Sequence, residues 1–184
     1  EQIHKNLLLD NLYKLELENI FFLNKIKIQN VLDDNPLIDT YSVKKIYPNA
    51  LNINVKKTYF IAKIKKNEKF LYVGNNGKLS DVNLSDYELP YIFGIPKISE
   101  FLKFKKIVDQ SNFEYSQIKF LYYFKSNRWD LELKNNILIK LPEQVTKEDL
   151  DQILIFFENI FSKDKKIVDA RIKNQIIVLN GKEN

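Results

Sequence analysis

"IYPNALNINV", residues 46 to 55, decides how this chain is read. Leu51, Ile53 and Val55 alternate with Asn52 and Asn54, the period of a strand with one apolar side. Pro48 cannot donate to a hydrogen-bond ladder, so Tyr47-Pro48-Asn49 reads as the bend between this strand and an earlier one, Ile38 to Ile46. Before that pair, Ile26, Val31 and Leu32 predict a helix ending at Asp33-Asp34-Asn35-Pro36, because proline disfavours helix in the residue before it. Asn19 to Asn24 is a short apolar run, and Ile3, Leu7, Leu8 and Leu12 recur at helical spacing. The first part of the chain therefore reads helix, helix, strand, strand.

The rest of the chain is richer in strands. Tyr59 to Ile64 and Phe70 to Val73 are strands, and Asn75-Asn76-Gly77-Lys78 is a hairpin turn, since Asn and Gly accept positive φ. Ile98 to Val108 carries a helical apolar face. Ile118 to Phe124, Trp129 to Leu133 and Ile137 to Leu141 predict three consecutive strands, the last two joined at Asn135-Asn136. Thr146 and Asp149 have capping-box spacing ahead of an amphipathic helix through Ile153, Phe156, Phe157 and Ile160. Ile167 to Ile172 and Gln175 to Leu179 predict two last strands.

A chain of 184 residues with 45% hydrophobic side chains can bury one sizeable core or two smaller ones. Aromatic residues make up 13% and are spread throughout, which argues against disorder. Cysteine is absent, so disulfides and thiolate metal sites are excluded. No window approaches the ~20 apolar residues of a membrane span. The chain starts at Glu1 and lacks methionine, which predicts a processed form or a fragment of a longer chain. The net charge is +5, but the lysines are interspersed with Asp and Glu, so nucleic-acid binding is disfavoured. Arginine occurs only at Arg128 and Arg171, where its planar fork offers what lysine cannot.

Catalytic patterns are scarce. His4 lies near a chain end with no carboxylate in motif spacing, and four glycines form neither a nucleophile elbow nor a phosphate loop. Asp33-Asp34 reads as a solvated helix end or as a ligand pair for a hard cation, and no cofactor is expected. A non-catalytic protein is favoured. An enzyme acting on the cell wall would need a pocket with a perturbed carboxylate pair.

Several stretches, in order, resemble the FtsQ/DivIB family of bacterial cell-division proteins. "NIFFLN" (19 to 24) and "DDNPLIDTYSVKKIYPNALNINV" (33 to 55) are similar to the second half of its POTRA domain. "LPYIFG" (89 to 94), "RWDLELKNNILIKLPE" (128 to 143) and "IVDARI" (167 to 172) are similar to its Leu-Pro-x-Leu-x-Gly, Trp-containing and Val-Asp-Leu-Arg segments. The "LPE" is similar to the alphaproteobacterial branch. The chain departs from the family in three ways. No strand of the Ile-x-Val-x-Gly type precedes Ile3, Asn136 replaces a frequent glycine, and Lys56-Lys57-Thr58-Tyr59 replaces Glu-Arg-x-Pro.

The resemblance implies an α+β protein: a truncated POTRA domain over 1–57, its first strand lying upstream, then a mostly antiparallel β domain with two helices over 58–181, and a tail at 182–184. It implies a non-catalytic divisome scaffold of the bacterial inner membrane, single-pass, with this part in the periplasm. Its partners there are FtsB and FtsL, with other divisome membrane proteins reached through the POTRA domain, and its role is in controlling septal peptidoglycan synthesis. The family's last strand receives a strand of FtsB, which needs an exposed sheet edge. The implied contacts are Arg128, Ile172, Gln175, Ile176, Ile177, Val178, Leu179 and Asn180. Ile176 and Val178 also fit a core role, and Asp169 and Arg171 share a strand face, where they either pair with each other or meet the partner. Trp129 reads as packing. The rival function, a POTRA-type chaperone or assembly module of the envelope, would call for further repeats or a barrel after Val55.

Overall fold

The computed structural model describes Leu9, Leu12 and residues 25–81, 88–158, 166–173 and 175–180. The helix predicted over the first twelve residues, the apolar run Asn19 to Asn24, His4, Ile160 and the tail lie outside the described residues, save Leu9 and Leu12. Contacts divide the chain into two units, one of 1–60 with 74–80 and one of 61–73 with 81–184.

In the first unit, helix α1 (Lys25–Asp34) precedes an antiparallel pair, β1 (Ile38–Ile46) and β2 (Ala50–Lys57). Ile46 pairs with Ala50, so Tyr47-Pro48-Asn49 closes the hairpin, and the Tyr47-Pro48 peptide bond is cis. Alternation decides the packing: Tyr41, Val43, Leu51 and Ile53 turn to the core of Leu12, Ile28, Leu32 and Ile38, while Ser42, Lys44, Asn52 and Asn54 face water. The helix end is satisfied by the turn 75–78 of the same unit, which leads into the short strand β5 (Leu79–Ser80). Lys78 Nζ donates to the carbonyls of Asp33 and, at 3.2 Å, Asn35. Asn76 Nδ2 donates to the carbonyls of Pro36 (3.1 Å) and Ile38 (2.7 Å), and its Oδ1 accepts from Lys78 N.

The second unit is built on a mixed sheet. Its strands are β3 (Phe60–Lys66), β4 (Lys69–Gly74), β6 (Tyr91–Phe93), β7 (Ile118–Tyr123), β8 (Trp129–Leu133), β9 (Leu138–Lys140), β10 (Lys166–Asp169) and β11 (Ile177–Asn180). They lie in the order β11-β10-β9-β8-β7-β6-β3-β4. Helix α2 (Ile98–Gln110) connects the parallel neighbours β6 and β7, and helix α3 (Lys147–Glu158) connects the parallel neighbours β9 and β10. Antiparallel pairing of β7 with β8 and of β8 with β9 makes all four crossover strands run the same way. Both crossovers step toward β11, and right-handed crossovers that step the same way put their helices on the same face.

The helix face is the core. Val168, Ile139, Leu131, Leu121 and Ile92 stand in register across β10 to β6, all buried. Trp129 lies 5.0 Å from Phe104 of α2, nearly parallel to it, and Phe101 and Tyr123 complete the cluster, so Trp129 is a packing residue. The capping box is formed: Thr146 N donates to Asp149 Oδ2 at 2.8 Å, and Asp149 N donates to Thr146 Oγ1 at 3.3 Å. Asn136 adopts φ +65 in the β8–β9 turn. Gly94 takes φ +94, and a Cβ there would meet the Tyr123 carbonyl oxygen at 2.6 Å, which accounts for the glycine closing "LPYIFG".

Two expectations are corrected at the last strands. β10 ends at Asp169 and not at Ile172, and β11 begins at Ile177 and not at Gln175. Asp169 Oδ1 accepts from the backbone N–H of Arg171, and Gln175 N donates to the Ile172 carbonyl at 3.1 Å, so 170–173 and 175–176 are spent on turning the chain.

Candidate functional site

The opposite face of the sheet carries no helix of the second unit among the described residues. Across it, in register, stand Ile177 (β11), Asp169 (β10), Lys140 (β9), Asp130 (β8), Tyr122 (β7) and Phe93 (β6). Beside that row Leu179, Ile167, Leu138, Glu132, Phe120 and Tyr91 form a second. Aromatic rings gather toward β6 and β7, with Phe93 and Tyr122 stacked at 5.0 Å. Tyr122 donates to Glu132 at 2.6 Å, and its hydroxyl is pushed above its ordinary range, first by burial and then by that carboxylate.

Among the described residues β11 is the end strand, hydrogen-bonded to β10 alone. Its other edge presents the backbone groups that an added strand needs. On the open face Ile177 is 47% and Leu179 49% exposed. Val178 is half-buried opposite Val168, and Ile176 lines a crevice with Gln152 and Ile153 of α3. Gln175 and Ile172 are exposed in the preceding turn, and Asn180 ends the strand. The structure thus brings Ile172 and residues 175–180 together. Arg128 sits at the start of β8, three strand spacings or roughly 14 Å away.

Each arginine closes on an aspartate two residues away, the spacing that alternation puts on one side of a strand. Arg171 is held to Asp169 by Nε at 2.9 and 3.1 Å and by Nη2 at 2.6 Å. That hydrogen-bonded guanidinium keeps the Asp169 carboxyl below its ordinary value. Arg128 donates from Nε (3.2 Å) and Nη2 (3.4 Å) to Asp130 and stacks 4.1 Å from the Phe124 ring centre. Asp130 is 4% exposed and also accepts from Leu141 N at 3.3 Å. Its carboxyl lies above its ordinary value because burial outweighs the help of Arg128 and of Leu141 N–H. The sequence leaves Asp169 and Arg171 either to pair or to meet a partner, and the structure pairs them; it does not single out Asp130, although Arg128-Trp129-Asp130 has the same spacing.

Asp151 has a structural role. A groove of about 540 Å3 lined by Asn112, Phe113, Leu133, Asp151 and Phe157 holds Asp151, which accepts from Asn112 N at 2.7 Å and so ties α3 to the end of α2. Among the described residues no group of three or more His, Cys, Asp or Glu is placed to hold a metal ion. No helix of the described residues is long and apolar enough to cross a membrane.

Residues 1–57 match the family POTRA domain, FtsQ-type, and residues 62–171 match the family Cell division protein FtsQ/DivIB, C-terminal. The chain belongs to the FtsQ/DivIB family of cell-division proteins. It is similar to cell division protein DivIB of Clostridium tetani, 25% identical over 172 residues, which cover 90% of this chain and 60% of that protein. It is also similar to cell division protein FtsQ of Bradyrhizobium diazoefficiens, 24% identical over 164 residues (87% of this chain, 48% of that protein). FtsQ of Rickettsia conorii is 26% identical over 169 residues (86% and 61%). The chain spans about half to three fifths of the length of these relatives.

Proposed function

We propose that this chain is the periplasmic part of a non-catalytic divisome scaffold that binds FtsB and FtsL and helps control septal peptidoglycan synthesis. The observation that supports this most is the free edge of β11, flanked by exposed Ile177 and Leu179. An extended FtsB segment adds to that edge as a further antiparallel or parallel strand, taking backbone hydrogen bonds from residues 175–180 and side-chain contacts from Ile172 and β11. Arg128 is reached only if the partner continues across the open face, since an added strand lies about four spacings, roughly 19 Å, from β8. In this reading the domain boundary falls between residues 57 and 58, the POTRA domain serves other divisome membrane proteins, and a single membrane-spanning anchor lies upstream.

The test is calorimetric titration with the membrane-distal periplasmic segment of FtsB from the same bacterium, repeated with Val178→Pro and with Leu179→Pro. Successive residues of an edge strand point their N–H groups alternately at β10 and at the free edge. One of the two prolines therefore removes an outward donor only, leaving the circular dichroism native. That variant should lose binding. Retained binding by it, or no binding by the folded wild type, sinks the edge reading.

A further inference from the structure

We propose that Asp130 is a positioning residue for partner recognition: it holds the Arg128 guanidinium against Phe124 so that the remaining Nη1 donors receive a carboxylate from the incoming segment. This rests on the reading of Arg128 as a partner contact. The guanidinium is a planar fork with five N–H donors. Asp130 takes the Nε/Nη2 edge with both of its oxygens, and the Phe124 ring supports the plane. Among the described residues Nη1 makes no hydrogen bond.

Every part of this holder is itself fixed. Asp130 is anchored from behind by Leu141 N–H. Phe124 is tied to Arg128 by a turn in which Phe124 N donates to the Arg128 carbonyl at 3.0 Å and Asn127 N to the Phe124 carbonyl at 2.9 Å, with Asn127 at φ +62. Ordering the side chain before the partner arrives lowers the entropy cost of the contact. Lysine could not use the holder, because a point charge has no second edge to offer once one edge is engaged.

The anionic class of the ligand is set by the donors. Nη1 offers two N–H groups and no acceptor, and a carboxylate, which only accepts, is the complement that also answers the guanidinium charge. Lys140 and Arg171 stand on the same face, where Asp130 and Asp169 are engaged by the two arginines and Glu132 by the Tyr122 hydroxyl.

The test measures affinity for the same periplasmic FtsB segment in wild type, Asp130→Asn, Arg128→Ala and the double variant, at low and high salt. Asparagine keeps an acceptor for Leu141 N–H, and native unfolding temperature certifies each variant. Asp130→Asn should weaken binding about fivefold and Arg128→Ala about tenfold, while the double variant is no weaker than Arg128→Ala alone. The Asp130→Asn loss should shrink as salt is raised. Phe124→Ala, which leaves Asp130 untouched, should reproduce the Asp130→Asn effect. Replacing the acidic residues of the segment by their amides should abolish the difference between wild type and Arg128→Ala. An Asp130→Asn loss of the same size in the Arg128→Ala background, or no loss in wild type, overturns the positioning role while leaving the edge reading intact. Failure of the wild type to bind overturns the edge reading itself, and the positioning role with it.

Discussion

Arg171 closes on Asp169 through two nitrogens from only two residues downstream, and Asp169 is the last residue of β10. The pair ties off the strand before the chain turns toward β11. Because Arg171 is half exposed, Asp169→Asn should cost only about 1 kcal/mol in chemical unfolding. The pH dependence has a definite sign. The native carboxyl titrates below its unfolded value of about 3.9, so its contribution is present above that pH and is lost as pH falls through the native value. Asp169→Asn should therefore flatten the acid limb of the stability curve.

Asp130 behaves in the opposite way. Burial raises its carboxyl, so between the unfolded value and the raised native one the folded state holds more protons, and stability falls as pH rises through that window. Asp130→Asn should leave unfolding at pH 7 within about 1 kcal/mol of wild type and remove that slope, as read from thermal unfolding between about pH 4 and 7. A loss of several kcal/mol would mean that the ion pair outweighs the burial of charge.

Gly94 combines a left-handed φ with an approach to the Tyr123 carbonyl that leaves no room for a Cβ. Gly94→Ala should destabilise the chain by about 2 kcal/mol or more, because strain and a backbone clash add. Equilibrium urea unfolding, with the slope unchanged, would check it.

Asn76 serves three backbone groups at once, accepting from Lys78 N and donating to the carbonyls of Pro36 and Ile38. Asn76→Ala leaves those carbonyls without this donor, so about 1–3 kcal/mol should be lost. Hydrogen exchange should speed up in β1 and at the end of α1, and remain native in the α2–Trp129 core.

The sequence was most readable where one physical rule acted alone. Alternation with a proline at the bend marked β1 and β2, helical spacing marked α2 as Ile98 to Val108 against the observed Ile98–Gln110, and Thr146 with Asp149 marked the start of α3. β6 is three residues long, too short to show a period. It is a strand because β3 and β7 flank it in parallel, a relation set by distant residues. The proposed contacts divide in the same way: 175–180 follow from the resemblance of this last strand to the family's, whereas the role proposed for Asp130 depends on burial, which no local pattern in "RWDLEL" announces.

β11 has aliphatic groups on both faces, Ile177 and Leu179 on one and Val178 on the other, with Ile176 just ahead of the strand on the side of Val178. A strand slipped by a single residue exchanges its two faces, and a sheet that is apolar on one side rejects such a slip because polar groups would be buried. Here either setting finds oily surface, so greasiness cannot choose between them. Under the proposed strand addition, alignment of the newcomer would be dictated from beyond the strand, by charges spaced along the sheet or by the length of whatever links the added strand to the rest of its own chain.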